Sequence, residues 1–255
     1  MTAVKRKTSA KQKTKVKGKA KAKAKPKSKT KAKAKATKKP TSDIKVTPAL
    51  RKRALNIVHG LRRDHPEATC ELGFTNGLEL LIATILAAQC TDARVNIVTK
   101  DLFKKYRKAK DYVDTPSEVL EEEIRTTGFF RNKTKSIKKC CQSLIDNLGG
   151  KVPDTMDELL QLAGVGRKTA NCILGNVFEV PGIVVDTHML RLSRRMGLST
   201  NTDPTKVEFD LMEILPDNEW INLSHLIPWH GRRVCSARKP LCDECAISHD
   251  CPKLL

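Results

Sequence analysis

The chain has 255 residues, enough for one large or two modest domains, with nine cysteines and a formal net charge of +21 at pH 7. Residues 1–40 hold 17 lysines, one arginine and no acidic residue, which leaves only +3 for the rest of the chain. The N-terminal segment lacks the apolar core of a signal peptide, and no run of about 18 apolar residues predicts a membrane-spanning helix.

Residues 1–43 form a lysine-rich tail, with lysine at every odd position from Lys11 to Lys35. The alternate positions are mostly small or polar, so the tail cannot bury enough apolar surface to offset the entropy lost on ordering. It is therefore predicted to be disordered. A polycation of this kind binds polyanions such as nucleic acids without sequence preference, by releasing counterions. A solubility or targeting appendage is the alternative interpretation.

From Thr47 onward, the pattern predicts one helix after another. Thr47 is a predicted N-cap, Pro48 takes the first helical position, and Pro66 ends that helix. The segment 77–89 is apolar nearly all round, which is typical of a central buried helix. No segment alternates in the manner of a strand, so the sequence predicts an all-α fold. Further helices are predicted at 91–106, 115–128, 132–150, 153–164, 166–178, 185–197, 203–216 and 220–235.

The motif LAGVGRKTAN places two glycines between predicted helices. A nucleotide-binding P-loop needs glycine directly before lysine and a strand before the loop. Here Arg167 separates Gly166 from Lys168 and the preceding segment is helical, so the pattern favours a helix-hairpin-helix. Gly164, Val165 and Gly166, with Arg167 at the start of the next helix, are predicted to bind one DNA phosphate. A plain corner between two helices is the alternative.

Lys168 lies just inside the predicted helix N-terminus, where the helix dipole disfavours a cation and so favours the free, nucleophilic amine. Lysine attacks carbon at the carbonyl oxidation level, such as the anomeric carbon of a nucleotide, and forms a Schiff base. A second phosphate contact is the alternative role. Asp186 follows an apolar run and is the candidate carboxylate partner. It can cap its own helix, and it can stabilise an oxocarbenium-like sugar and shuttle protons.

The nine cysteines fall into two groups. Four lie within 17 residues, with the spacing Cys-x6-Cys-x2-Cys-x5-Cys, and the lack of a secretion signal argues against disulfides. Four thiolates suit either a structural zinc ion or an iron–sulfur cluster, and the spacing alone leaves both open. This group is Cys235, Cys242, Cys245 and Cys251. The other five are predicted to be buried structural thiols, namely Cys70, Cys90, Cys140, Cys141 and Cys172.

Four motifs together carry a resemblance to a known family: AAQCTD, LAGVGRKTAN, VDTH and HGRRVCSARKPLCDECAISHDC. From about Pro48 to Cys251, the chain resembles the endonuclease III family of helix-hairpin-helix DNA glycosylases and abasic-site lyases. The resemblance implies an all-α helix-hairpin-helix glycosylase fold, with two helical domains and a DNA-binding cleft between them. A six-helix barrel domain is expected over 70–180, and a cluster domain over 44–69 together with 181–255.

The same resemblance assigns roles to individual residues. It implies that the four clustered cysteines bind a 4Fe–4S cluster, that Lys168 is the nucleophile and that Asp186 is the catalytic carboxylate. Gln89 matches the residue that helps fill the gap left by an extruded base. Phe129 falls where the family inserts a bulky apolar wedge into the duplex, with a core aromatic as the alternative. Ala163 stands where the family usually carries proline, and the tail lies outside the family's common core.

These expectations describe a bifunctional DNA glycosylase and abasic-site lyase of base excision repair that removes oxidised pyrimidines. The expected partner is double-stranded DNA with damaged bases or abasic sites, and the expected state is a monomer without membrane association. The expected location is the cytoplasm, with the nucleoid, in a bacterium and the nucleus in a eukaryote. The alternatives are an adenine-mismatch glycosylase of the same superfamily, which normally lacks the lysine, and an architectural DNA-binding protein without catalysis.

Overall fold

The computed structural model describes residues 44–254, and the tail predicted to be disordered, 1–43, lies outside them. Within 44–254 every regular element is a helix, which confirms the all-α prediction. No helix in this part of the chain is both long and apolar enough to cross a membrane. The α-helices are α1 (Pro48–Asp64), α2 (Gly77–Leu86), α3 (Asp92–Lys105), α4 (Ala109–Asp114), α5 (Ser117–Glu123), α6 (Phe130–Leu148), α7 (Met156–Leu159), α8 (Arg167–Val177), α9 (Thr187–Arg195), α10 (Pro204–Ile214) and α11 (Trp220–Arg233), with short 3-10 helices at Arg125–Thr127 and Asp217–Glu219.

Helix starts follow the capping chemistry that the sequence predicted. The Thr47 hydroxyl oxygen accepts a hydrogen bond of 3.1 Å from the Leu50 N–H, and Pro48 occupies the first position of α1. The Thr91 side chain caps α3 in the same way. Two predicted helices are much shorter than expected. The stretch 115–128 contains the seven-residue α5 and a separate 3-10 helix. The stretch 153–164 contains only the four-residue α7, because its second half turns toward Gly164.

The helices pack around two hydrophobic cores. The first is formed by α2 to α8, and the α2 residues Leu80, Leu81 and Ile82 are fully buried in it, as expected for a central helix. The second is formed by α1 and α9 to α11, together with the segment that follows α11. Burial of apolar surface, at roughly 25 cal/mol per Å², stabilises both cores. The domain boundaries at residues 70 and 180 stay a prediction.

The five cysteines outside the C-terminal group differ in their environments. Cys140 and Cys141 of α6 are buried, as predicted. The prediction of burial is wrong for Cys70, Cys90 and Cys172, which are half-buried. Cys70 lies on the irregular segment between α1 and α2, and Cys172 lies on the side of α8 that lines a pocket. Helical spacing alone could not show that this side of α8 borders open space.

Candidate active site and cysteine site

A pocket of about 290 Å³ brings together residues that are distant in the sequence. Lys168 from α8, Asp186 at the start of α9 and Gln89 in the turn after α2 all line it. The sequence had marked each of these three residues as functional. Phe129 is not among the residues that line the pocket in the described part of the chain, and it lies on the turn that precedes α6.

The Gly-Val-Gly turn joins α7 to α8 as a helix-hairpin-helix. Gly164 has a φ of +83°, and a Cβ added there would lie 3.1 Å from the Ser136 Cβ, so this position requires glycine. No atom of the described chain lies within 4 Å of a Cβ added at Gly166, so that side of the turn is open. The Val165 side chain packs into the first core. Among the described residues, no side chain caps α8, which leaves its first N–H groups available to an anion.

The Arg167 side chain is engaged within the protein. Its Nε and Nη2 donate hydrogen bonds of 2.6 and 2.9 Å to the carboxylate of Glu208 in α10, which is 3 % exposed. The Asn171 amide donates a further bond of 2.9 Å to the same carboxylate. The Arg167 guanidinium also lies over the Phe209 ring, 5.0 Å from its centroid. Arg167 therefore ties the first turn of α8 to α10, and only its backbone N–H remains as a contribution to an anion site.

Lys168 and Asp186 supply an amine and a carboxylate to the same pocket. Lys168 is exposed and lies in the first turn of α8. The Asp186 Oδ1 accepts a hydrogen bond of 2.7 Å from the Met189 N–H, which confirms that Asp186 is the N-cap of α9. A carboxylate has two oxygens, so this single cap bond leaves Asp186 with acceptor capacity. The cap also fixes the orientation of the carboxylate.

Gln89 and Phe129 share a strained backbone conformation. Their φ angles are +54° and +47°, in the left-handed region that residues with a side chain rarely adopt. Both side chains are exposed, and Phe129 keeps 62 % of its surface accessible. The alternative of a core aromatic at Phe129 is therefore wrong. Strain of this kind persists where the surrounding structure enforces it, and it concentrates at binding sites.

Sequence reasoning missed further residues of the pocket wall. His225 of α11 lines the pocket, and burial lowers its pKa below the ordinary value, which favours the neutral imidazole at neutral pH. Arg232 of α11 also lines it and forms ion pairs of 2.9 Å with Glu71 and 3.0 Å with Asp92. The partners are far apart in the chain, so helical periodicity carries no signal for these contacts.

The four cysteines of the C-terminal group line one small cavity of about 20 Å³. The Arg195 guanidinium of α9 lies beside it, with Nη1 3.2 Å from the Cys235 sulfur. The segment that carries the cysteines packs on α1, where the Arg53 guanidinium donates a bond of 3.3 Å to the Asp250 carbonyl. A Cβ added at Gly60 would lie 2.6 Å from the Ile247 side chain, so α1 approaches this segment closely.

The four cysteines do not form a close group of ligand atoms of the kind that a single metal ion requires. Within 44–254, the three potential ligand atoms that lie within 4.8 Å of one another belong to Asp64, His65 and His230, and no three of the four sulfurs are that close. A tetrahedral zinc ion with Zn–S bonds of about 2.3 Å would hold its sulfurs about 3.8 Å apart. Four thiols suit an iron–sulfur group, and His230 lies beside them with Nε2 3.6 Å from the Cys245 sulfur.

Residues 82–217 match the HhH-GPD superfamily of base excision DNA repair proteins. The chain is similar to endonuclease III of Synechocystis sp., with 48 % identity over 203 residues that cover 79 % of this chain and 93 % of the relative. It is also similar to endonuclease III of Bacillus subtilis, with 45 % identity over 187 residues that cover 73 % of this chain and 85 % of the relative.

Solved structures agree with these sequence relatives. The fold is similar to a trapped endonuclease III–DNA covalent intermediate, with a TM-score of 0.76 and 45 % identity over 80 % of this chain and 96 % of that one. A non-covalent endonuclease III–DNA complex matches with the same score, over 80 % of this chain and 95 % of that one. A thermostable thymine-DNA glycosylase shares the fold at a TM-score of 0.72 and 20 % identity, over 80 % of this chain and 98 % of that one. In sequence and structure, the chain belongs to the endonuclease III family within the HhH-GPD superfamily of base excision DNA repair proteins.

Proposed function

We propose that this protein is a bifunctional DNA glycosylase and abasic-site lyase that removes oxidised pyrimidines from double-stranded DNA. The observation that carries the proposal is the placement of Lys168 and Asp186 in one pocket beside Gln89. Membership of the endonuclease III family supports it, and one relative is a trapped covalent intermediate with DNA. The proposed working unit is a monomer.

Lys168 is the proposed nucleophile. Its free amine attacks C1′ of the damaged nucleotide, the glycosidic bond breaks, and the base leaves with the bonding electrons and takes up a proton. Loss of the amine proton and opening of the sugar ring give a Schiff base between Nζ and C1′. Removal of a proton from C2′ then breaks the bond between C3′ and the 3′ phosphate oxygen. Water finally releases the sugar fragment and restores the amine.

Asp186 is the proposed carboxylate that supports charge and proton transfer in these steps. The N-cap bond to Met189 holds the carboxylate at the pocket. Its negative charge stabilises the positive charge that develops on the sugar as the base departs. A carboxylate at the pocket can also accept the proton that the attacking amine loses. The cap bond uses Oδ1 as its acceptor, and the remaining acceptor positions of the carboxylate serve the catalytic role.

The DNA-binding part of the proposal uses three exposed features. The uncapped N-terminus of α8, with Gly164 and Gly166 in the open turn, supports binding of one backbone phosphate through N–H groups. Gln89 and Phe129 project from strained turns, which supports insertion into the duplex when the damaged nucleotide is extruded. Extrusion is needed because the anomeric carbon cannot reach Lys168 inside the base stack.

We also propose that Cys235, Cys242, Cys245 and Cys251 hold a 4Fe–4S cluster. Four cysteines that line one cavity without forming a close group of ligand atoms support this assignment over zinc, as does membership of the endonuclease III family. Arg195 places a positive charge beside Cys235, which offsets part of the negative charge of thiolate ligands. When bound, the cluster supplies metal–thiolate bonds that fold the segment 235–251.

The cluster is tested by metal analysis and absorption of the purified holoprotein. Thiolate-to-iron charge transfer predicts a brown protein with about four irons per chain. Cys242→Ser should reduce both the iron content and the resistance to unfolding, because ligation contributes folding energy. A colourless protein that holds one zinc ion per chain after anaerobic purification would contradict the assignment.

Strand cleavage on matched duplexes tests the proposed activity. End-labelled DNA carrying an oxidised pyrimidine or an abasic site should be cleaved, while the undamaged duplex of the same sequence stays intact. Excision of adenine opposite a damaged purine, without strand cleavage, would instead support the mismatch-glycosylase alternative. Binding of all duplexes with no excision and no cleavage would support an architectural DNA-binding protein.

A further inference from the structure

Two thiols that the proposed mechanism does not use lie in the wall of the active-site pocket. Cys70 and Cys172 both line it, together with Lys168 and Asp186. Each thiol has the largest effect on the pKa of the other, so the two side chains are neighbours in the pocket wall. They come from different parts of the fold, the segment between α1 and α2 and the second turn of α8. Both are half-buried, so a small solute can reach them.

The surroundings favour reaction at this pair. Contact with Cys172 lowers the pKa of the Cys70 thiol, which raises the fraction of nucleophilic thiolate. The same contact, together with burial, raises the pKa of the Cys172 thiol, so Cys172 stays protonated while Cys70 carries the thiolate. The Asn176 amide lies 3.7 Å from the Cys172 sulfur. Cys140 and Cys141 differ from Cys70, since burial raises the pKa of both thiols and the first core encloses them.

We propose that Cys70 and Cys172 are a site of oxidative modification, at which hydrogen peroxide joins the two sulfurs in a disulfide. The Cys70 thiolate attacks one peroxide oxygen, the O–O bond breaks, and the departing hydroxide takes up a proton to become water. The Cys172 sulfur then attacks the sulfur of the resulting sulfenic acid, the S–O bond breaks, and the departing hydroxide takes the proton of the Cys172 thiol to become a second water. Two thiols are oxidised and one peroxide is reduced to two waters.

The bond would change the pocket next to the nucleophile. Two sulfurs in non-bonded contact must approach to about 2.05 Å to form a disulfide, which draws the segment before α2 toward α8. Cys172 lies four residues after Lys168, on the same side of α8. A displacement of about 1 Å at a catalytic group can slow a reaction by about a hundredfold. The oxidised protein is therefore the slow form, and thiol reduction restores it.

The test uses the holoprotein treated with hydrogen peroxide and then alkylated. Mass spectrometry of the digest should show a peptide pair joined through Cys70 and Cys172 that disappears on reduction. Schiff-base formation on abasic DNA should slow at least about tenfold on oxidation and recover with a thiol reductant. Visible absorption recorded on the same samples separates this effect from damage to the cysteine site at 235–251.

Cys172→Ala and Cys70→Ala are each compared with their own untreated sample, so altered basal activity does not affect the result. Both should keep their rate after peroxide, whereas Cys90→Ala, which removes a half-buried thiol elsewhere, should respond like the natural sequence. Absence of the joined peptide, or an equal loss of rate in Cys70→Ala, would overturn the proposal.

The effect on catalysis rests on the proposed function. If untreated protein forms no Schiff base while the disulfide still appears, the proposed function has failed and the modification site stands.

Discussion

The buried ammonium group of Lys133 donates a hydrogen bond of 2.8 Å to the carbonyl oxygen of Leu86, at the end of α2. A second bond of 2.7 Å reaches the carbonyl oxygen of Thr127. These two carbonyls lie just before the turns that carry Gln89 and Phe129. One side chain of α6 thus braces both strained turns, which accounts for how their unfavourable backbone conformations persist.

Lys133→Met should destabilise the fold and loosen both turns. It removes two charge-assisted bonds and leaves two carbonyl oxygens without them, so we expect the free energy of unfolding to fall by about 3 kcal/mol. Excision of a damaged base from duplex DNA should slow, because Gln89 and Phe129 lose their common brace. Chemical denaturation and single-turnover excision measure the two effects. Lys139→Met, at an exposed position of the same helix, is the control and should change neither.

Phe129→Gly should separate strain from function. Glycine adopts a positive φ without a steric penalty, so this variant should be about 1 kcal/mol more stable than Phe129→Ala. Both variants lose the exposed ring, so both should slow the excision of damaged bases to a similar extent. Cleavage of DNA that is already abasic should fall less, because no base has to be extruded. Faster excision by the glycine variant than by the alanine variant would show that backbone strain, rather than the ring, limits the step.

Structural features that are set by residues adjacent in the sequence were predictable from the sequence. Capping by Thr47 and Asp186 follows from a polar side chain next to a helical pattern, and the positive φ of Gly164 follows from its place in a tight turn. The side chains that complete the site were not predictable in this way. Burial of Lys133 and the pairing of Arg167 depend on which helices meet, and the spacing of apolar residues does not specify that.

The ion pair between Arg167 and Glu208 removes the Arg167 side chain from the predicted contact with a DNA phosphate. The Arg167 guanidinium pairs with Glu208, so Arg167→Met should lower the free energy of unfolding by about 3 kcal/mol, because the buried carboxylate loses its positive partner and keeps only the bond from Asn171. The salt dependence of DNA binding should stay the same, whereas loss of one phosphate contact would reduce the slope by about 0.9. The double variant Arg167→Met with Glu208→Leu should recover most of the stability. A reduced salt slope in the single variant would show that Arg167 leaves Glu208 and contacts DNA.

His225 should make the stability of the protein depend on pH. Burial lowers its pKa from the ordinary 6.5, so below pH 6.5 the unfolded chain binds a proton that the folded chain does not. The free energy of unfolding should therefore fall as the pH drops below 6.5, with at most about 1.4 kcal/mol per pH unit from this one group. His225→Gln should lose less stability than the natural sequence between about pH 7.5 and about pH 5.5. His59→Gln, at an exposed position, is the matched control for the loss of an imidazole.

The central claim is that Lys168 forms the covalent bond to DNA, and borohydride trapping tests it most directly. Borohydride reduces a Schiff base, so the natural sequence should stay attached to cleaved abasic DNA as a stable adduct. Lys168→Gln removes the attacking amine but keeps the hairpin backbone, so the adduct and the strand cleavage should both vanish while DNA binding falls only modestly. Asp186→Asn should still give some adduct on abasic DNA and should slow base excision. Formation of the adduct by Lys168→Gln at the normal rate would contradict the account, because another amine would then be the nucleophile.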